Sequence, residues 1–326
     1  MKPMITRLHG HDMGEFSQLV NNAWSGDETL TLDSESKGGW NSISLLARSS
    51  TRDYLLKIPG FKGPFRQHPY SREYIVMGFL YRKGLCPRPM ETGWIGEEER
   101  IPFIILEFAE GIVPSSLSQI SKAQFSMLER ALSTLSQIRP PGIPSFGSAS
   151  DYLGYTSRLV HRTIRNPALL SQGLTGVLNS FDKAVEALSD SIDLSCAWSG
   201  KTMHGDLQES NLVFQSDRVL LLDLGSCCVG EPLFDLSYLF SQSADSNRHT
   251  LPKDFIKSST RLGDIEALRP LGLVSAIGWS IAFLANLEKG RIEANLAERD
   301  TGLRVLAYVE DKVDWLNSLL GKGFPR

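Results

Sequence analysis

Two neighbouring stretches, Met203-His-Gly-Asp-Leu-Gln-Glu-Ser-Asn-Leu-Val-Phe214 and Val219-Leu-Leu-Leu-Asp-Leu-Gly-Ser226, constrain this chain more than any other feature. Asp206 stands two residues after His204, Asn211 follows five residues later, and Asp223 closes an apolar run. Asn211–Phe214 and Val219–Leu222 read as two short strands around the polar turn Gln215-Ser-Asp-Arg218. A hairpin of that length brings its ends together, so Asn211 and Asp223 lie side by side. Asp and Asn are common turn residues, and a solvated loop would account for any one of these positions. The joint spacing is much rarer.

The residue types suit phosphoryl transfer. That reaction spreads negative charge over the moving group, so the protein must position its partners and supply positive charge. Asp206 can accept a hydroxyl proton and orient the incoming nucleophile. Asn211 and Asp223 offer hard oxygen ligands to one Mg²⁺ site. The order and spacing match a catalytic loop, a hairpin and a metal-binding carboxylate of kinases that move the γ-phosphoryl group of ATP.

On these residues the chain resembles the aminoglycoside phosphotransferase and choline kinase-like family. Its His-Gly-Asp-Leu, Asn and buried Asp are followed here by Glu231-Pro-Leu-Phe-Asp235-Leu236. Glu231 stands where the family more often has Asp, and Leu224 replaces a more usual aromatic; neither is expected to bind metal. The resemblance implies an α+β, bilobal protein kinase-like fold. A small β-rich lobe over 1–109 would bind nucleotide, and a larger, mainly helical lobe over 110–326 would hold the catalytic loop and the substrate.

Further assignments follow from the resemblance. Lys57 ends the strand-like run Tyr54–Lys57, and Glu73 is the only acidic residue of the next predicted helix, Tyr70–Lys83. They look like the strand lysine and helix glutamate that hold the α- and β-phosphates of ATP. The turn containing Gly39, Asn41 and Ser42 is the candidate phosphate cover, and a plain Gly-Gly hairpin turn fits equally well. Leu106–Gly111 looks like the family's hinge, where the carbonyl of Glu107 and the N–H of Ala109 would read adenine. His204 and Asp235 are expected to prop the catalytic loop rather than react.

The acceptor is expected to be a small hydroxyl compound: an aminoglycoside, an amino alcohol or a sugar-like molecule. Only Ser226–Glu231 separate Asp-Leu-Gly from Pro232, too little for a peptide-docking segment. Trp279, Asp311 and Trp315 are candidate liners of its pocket. The alternative is a catalytically silent nucleotide-binding module, against which the joint presence of Lys57, Asp206, Asn211 and Asp223 argues. A net charge of −3 gives no bulk reason to expect nucleic acid or an anionic membrane as partner. Cys86, Cys196, Cys227 and Cys228 show no metal-finger or disulfide pattern, and no leader is evident, which points to the cytosol.

Elsewhere the periodicity predicts helices over Met13–Trp24, Ala123–Ile138, Asp151–Arg165, Leu174–Ser189, Leu233–Ser241, Pro270–Gly290 and Arg291–Leu320. It predicts strands over Thr29–Leu32, Asn41–Ala47, Asp53–Ile58 and Ile101–Phe108. The uncharged run Pro270–Leu287 has the length of a short membrane span, and its glycines, serines and asparagine favour a buried helix instead.

Overall fold

The computed structural model describes residues 5, 7–36, 42–61, 63, 65–98, 100–164, 170–191, 198–242, 262–292 and 299–321. The chain opens with a short pair, β1 (Arg7–Leu8) and β2 (His11–Asp12), and helix α1 (Met13–Ala23). Asp12 caps α1. Its carboxylate accepts from the Glu15 N–H at 2.9 Å, and Glu15 accepts from the Asp12 N–H at 3.2 Å. This reciprocal box satisfies donors that a helix start leaves open.

Five strands follow: β3 (Thr31–Ser36), β4 (Ser42–Arg48), β5 (Asp53–Pro59) and, after helix α2 (Ser71–Tyr81), β6 (Pro89–Ile95) and β7 (Ile101–Glu107). They form one antiparallel sheet in the order β3-β4-β5-β7-β6. Strand β6 is absent from the strands expected above, because Pro87 and Pro89 obscure it in the sequence. It lies at the sheet edge and begins on Pro89, where a missing N–H is tolerated. Phe16 and Val20 of α1 pack with Ile43, Leu56, Ile58 and Phe103. Each such buried side chain contributes about 1.5–3 kcal/mol of hydrophobic stabilisation.

Helix α2 is rotated from the phase its apolar residues suggest. By apolar character Ile75, Val76, Phe79 and Leu80 would form the buried face; instead Glu73, Val76, Met77 and Leu80 face inward, while Ile75 and Phe79 are each 47% exposed. Positions 73, 76, 77 and 80 share one helical face, so burying Glu73 fixes the rotation.

The rest of the chain is mainly helical. Helices α3 (Lys122–Ser136), α4 (Ala149–Ile164) and α5 (Gln172–Ser191) precede four short strands: β8 (Lys201–Met203), β9 (Leu212–Phe214), β10 (Val219–Leu221) and β11 (Cys228–Gly230). Strand β9 pairs with β10 and β8 with β11, and the second pair is invisible in sequence periodicity. Then come α6 (Leu233–Gln242), α7 (Leu262–Glu288) and α8 (Arg299–Gly321). Helix α7 starts eight residues before the expected Pro270 and carries that proline inside it. It is long and apolar enough to cross a membrane, but 83% of its apolar window is buried inside the protein. It packs against α4, α5, α6 and α8. A helix that is apolar all round belongs in such a centre.

One apolar cluster joins the two parts. Met77, Leu80 and Leu106 meet Leu128, Leu132 and Leu135 of α3, together with Leu212, Phe214 and Leu221 of the short hairpin. The hairpin is thereby held from both sides.

Candidate active site

The hairpin has the form the sequence suggests. Phe214 faces Val219, and Leu212 faces Leu221. The Leu222 N–H then donates to the Asn211 carbonyl at 2.9 Å, which sets Asn211 beside Asp223. Asn211 donates through Nδ2 to the Asp206 carbonyl at 2.9 Å. That bond ties the catalytic loop to the hairpin through the amide nitrogen, and Oδ1 remains the acceptor end of the side chain. Asp223 adopts a left-handed backbone conformation, φ 55°. For a residue with a side chain this costs about 1–3 kcal/mol and persists only where the surroundings enforce it.

The catalytic loop is propped from beneath. Asp235, fully buried on α6, accepts the His204 N–H at 2.7 Å and the Gly205 N–H at 2.9 Å. Burial pushes its carboxyl up to about 7, against the pull of those two N–H groups. His204 is buried, with Nε2 at 2.8 Å from the Leu222 carbonyl and Nδ1 accepting the Asp206 N–H at 3.3 Å. Nε2 therefore carries the proton. Burial lowers the imidazole to about 4, so it is neutral at pH 7 and serves as a brace.

Gly205 has φ 79°, and a Cβ there would collide with the Ser226 carbonyl oxygen. Gly205→Ala is expected to destabilise the protein by about 2–4 kcal/mol, combining left-handed strain with backbone displacement. Chemical denaturation checks this, and an unchanged midpoint would mean the loop has room to move.

Lys57 ties the sheet to the hairpin. Its Nζ lies 3.0 Å and 2.9 Å from the two Glu73 carboxylate oxygens and 2.8 Å from Asp223 Oδ1. Burial alone would push the ammonium down; Asp223 and Glu73 outweigh it and hold Lys57 above the usual lysine range. Burial pushes Glu73 up, with Lys57 opposing. For Asp223 the balance is reversed: Lys57 overcomes burial and keeps the carboxyl below its usual range. Asp223 is thus held as a carboxylate, with Oδ1 taken by Lys57. Two hard oxygens, Asn211 Oδ1 and an Asp223 carboxylate, fit Mg²⁺, which usually keeps waters and substrate phosphates for its remaining positions.

Asp206 stands half-buried at the cleft. Burial, and then the Asp223 charge, push its carboxyl up to about 8, while a hydrogen bond from Tyr238 and the Lys57 charge pull the other way. A carboxyl poised near neutral pH can take a proton from an alcohol during reaction.

A cleft of about 650 Å³ contains Ser42, Lys57, Glu73, Asp206 and Asp223 in its walls. Gly39 and Asn41 lie outside the described residues. Glu107 and Ala109 are not among the residues lining this cleft, and the Glu107 N–H is committed to the Arg88 carbonyl at 2.9 Å. Of the three candidate pocket liners, Trp279 faces the cleft, Trp315 is buried in the helical core and Asp311 is exposed. Arg72, beside Glu73, donates to the Gly225 carbonyl and lines the same cleft. Its position next to Glu73 was the available signal. Tyr238 was equally accessible, because it lies one helical turn after Asp235 and shares its face.

A sheet-topped cleft holding a lysine–glutamate pair, a loop aspartate and an asparagine–aspartate pair defines a kinase-like phosphotransferase. Residues 36–271 match the model of the phosphotransferase enzyme family, APH, and the chain belongs to that family. It is a small-molecule kinase of α+β, protein kinase-like fold. No curated protein matches it by sequence. Among solved structures it is similar to the choline kinase LicA from Streptococcus pneumoniae, at 18% identity and a TM-score of 0.62, covering 92% of this chain and 99% of that one. An ethanolamine kinase from Plasmodium vivax is 14% identical with a TM-score of 0.61, covering 89% and 86%. A thermostable mutant of the aminoglycoside phosphotransferase APH(4)-Ia, in ternary complex with AMP-PNP and hygromycin B, is 14% identical with a TM-score of 0.60, covering 92% and 97%.

Proposed function

We propose that this protein transfers the γ-phosphoryl group of ATP to a hydroxyl of a small molecule, with Mg²⁺, in the cytosol. The observation that carries this reading is Lys57, held at once by Glu73 and Asp223 in the cleft that Asp206 faces. Lys57 would hold the α- and β-phosphates, and Glu73 keeps its ammonium extended. Asn211 and Asp223 would hold Mg²⁺, which when bound neutralises charge on the phosphate oxygens. Asp206 orients the acceptor hydroxyl and takes its proton as the oxygen attacks γ-phosphorus; the bond to the β-phosphate oxygen breaks and ADP leaves. The AMP-PNP bound by a similar protein supports a nucleotide donor. Glu107 and Ala109 at the end of β7 would read adenine, and Gly39, Asn41 and Ser42 would cover the phosphates. We divide the labour between a nucleotide-binding part, 1–109, and a substrate-binding part, 110–326. The buried, unbridged Cys86, Cys227 and Cys228 suit a reducing compartment.

The test is ADP release from Mg²⁺-ATP across a panel of small hydroxyl compounds. Release that rises with one acceptor, with phosphate recovered on it, is expected. Firm ATP binding with no acceptor-dependent release would favour a silent module.

A further inference from the structure

We infer that the acceptor is an uncharged, hydroxyl-rich ring compound, of the sugar or nucleoside kind, and not a polycation or a quaternary amine. This deepens the phosphotransfer reading and rests on it. Among the described residues, the charged side chains of the cleft gather at its phosphate end. Lys57, Glu73 and Asp223 are bonded to one another, and Asp206 and Glu209 belong to the catalytic loop. Arg72 is bonded to the Gly225 carbonyl, next to that end.

The opposite wall comes from α6, α7 and α8. Its described residues are Gln242, Ala276, Trp279, Ser280, Ala282, Asn286 and Tyr308, all of them uncharged; Tyr238, also uncharged, reaches across to Asp206. Phenols, hydroxyls and carboxamides offer donors and acceptors together, and a sugar hydroxyl needs both. An ammonium only donates, so it requires acceptors or carboxylates.

Two contacts bias the wall further. The Tyr308 hydroxyl donates to Gln242 Oε1 at 2.5 Å. That takes one of the two lone pairs of the amide oxygen, and the amide keeps its NH₂ as a donor, which an ammonium cannot use. The Tyr308 ring also carries a cation already, the buried Lys312 ammonium 5.1 Å from its centroid. A second cation there would meet like charge. Trp279 supplies a flat apolar surface, suited to one face of a sugar ring or nucleobase, between the hydroxyl-bearing side chains. In the transfer, one ring hydroxyl loses its proton to Asp206 as its oxygen bonds γ-phosphorus, and ADP departs.

The full chain should be assayed with Mg²⁺-ATP against three matched groups: neutral sugars and nucleosides, aminoglycosides, and choline with ethanolamine. Phosphate should appear on members of the first group only. Gln242→Glu should raise KM for the neutral acceptor about tenfold or more while KM for ATP stays within about twofold. Trp279→Ala should do the same and remains informative if the glutamate disturbs folding. Transfer to aminoglycosides or choline with a lower KM than to any neutral compound would overturn this inference and leave the phosphotransfer reading intact. So would unchanged acceptor KM in both variants. Transfer to none of the groups would overturn both.

Discussion

Asp206→Asn is expected to cut turnover by about a hundredfold or more on the acceptor that the ADP-release screen identifies. An amide has no basic oxygen to receive the hydroxyl proton. The exchange is nearly isosteric, and the loop should keep its shape. Its main ties are made by the backbone, through the Asn211 amide to the Asp206 carbonyl and through the His204 and Gly205 N–H groups to Asp235. ATP affinity should therefore stay within about twofold, because none of those ties involves the carboxylate itself. Steady-state kinetics with calorimetric ATP titration separates the two quantities. Wild-type turnover in the variant would remove Asp206 from the role of base.

The loop and hairpin were legible because their geometry is local. The run from His204 to Asp223 contains its own turn and its own ladder, so spacing alone implies which residues meet. Lys57 and Glu73 lie 16 residues apart, and only the kinase resemblance joined them. Once joined, they explain an error of phase in α2. Reading apolar residues as the buried face favours Ile75 and Phe79. The buried ion pair with Lys57 instead turns Glu73 inward, and Met77 takes the place of the expected pair. A charge thus decided which apolar residues were buried, and hydrophobic periodicity carries no information about that.

Other features depend on partners far along the chain. Strands β8 and β11 are three residues each and exist only because they pair across the catalytic loop. The far wall of the cleft draws Gln242 and Tyr308 together over 66 residues. Trp279 sits on the apolar α7 and Trp315 on the amphipathic α8, and sequence gives no means of telling that the first faces the cleft and the second the core. Packing of α7 among four helices makes that choice.

Asp223→Ala is expected to abolish the tightening of ATP binding by Mg²⁺ and to lower turnover by about two orders of magnitude or more. A bound metal is worth several kcal/mol of transition-state stabilisation, and about 2.7 kcal/mol already corresponds to a hundredfold in rate. Two roles would end with this carboxylate: it would offer Mg²⁺ a charged ligand, and it holds Lys57 at 2.8 Å; its backbone also sits where φ is 55°. Alanine tolerates that backbone poorly, so a loss of stability would confound the result. Asp223→Asn provides the control, because asparagine accepts the left-handed region more readily and keeps an oxygen ligand without the charge. If charge is what matters, Asn should fold like the wild type and still show a weakened Mg²⁺ effect in ATP titrations with and without the metal. If the Mg²⁺ effect persists undiminished in both variants, the metal is held by another carboxylate of the cleft. Glu209, on the catalytic loop and in the same cleft wall, is then the residue to replace.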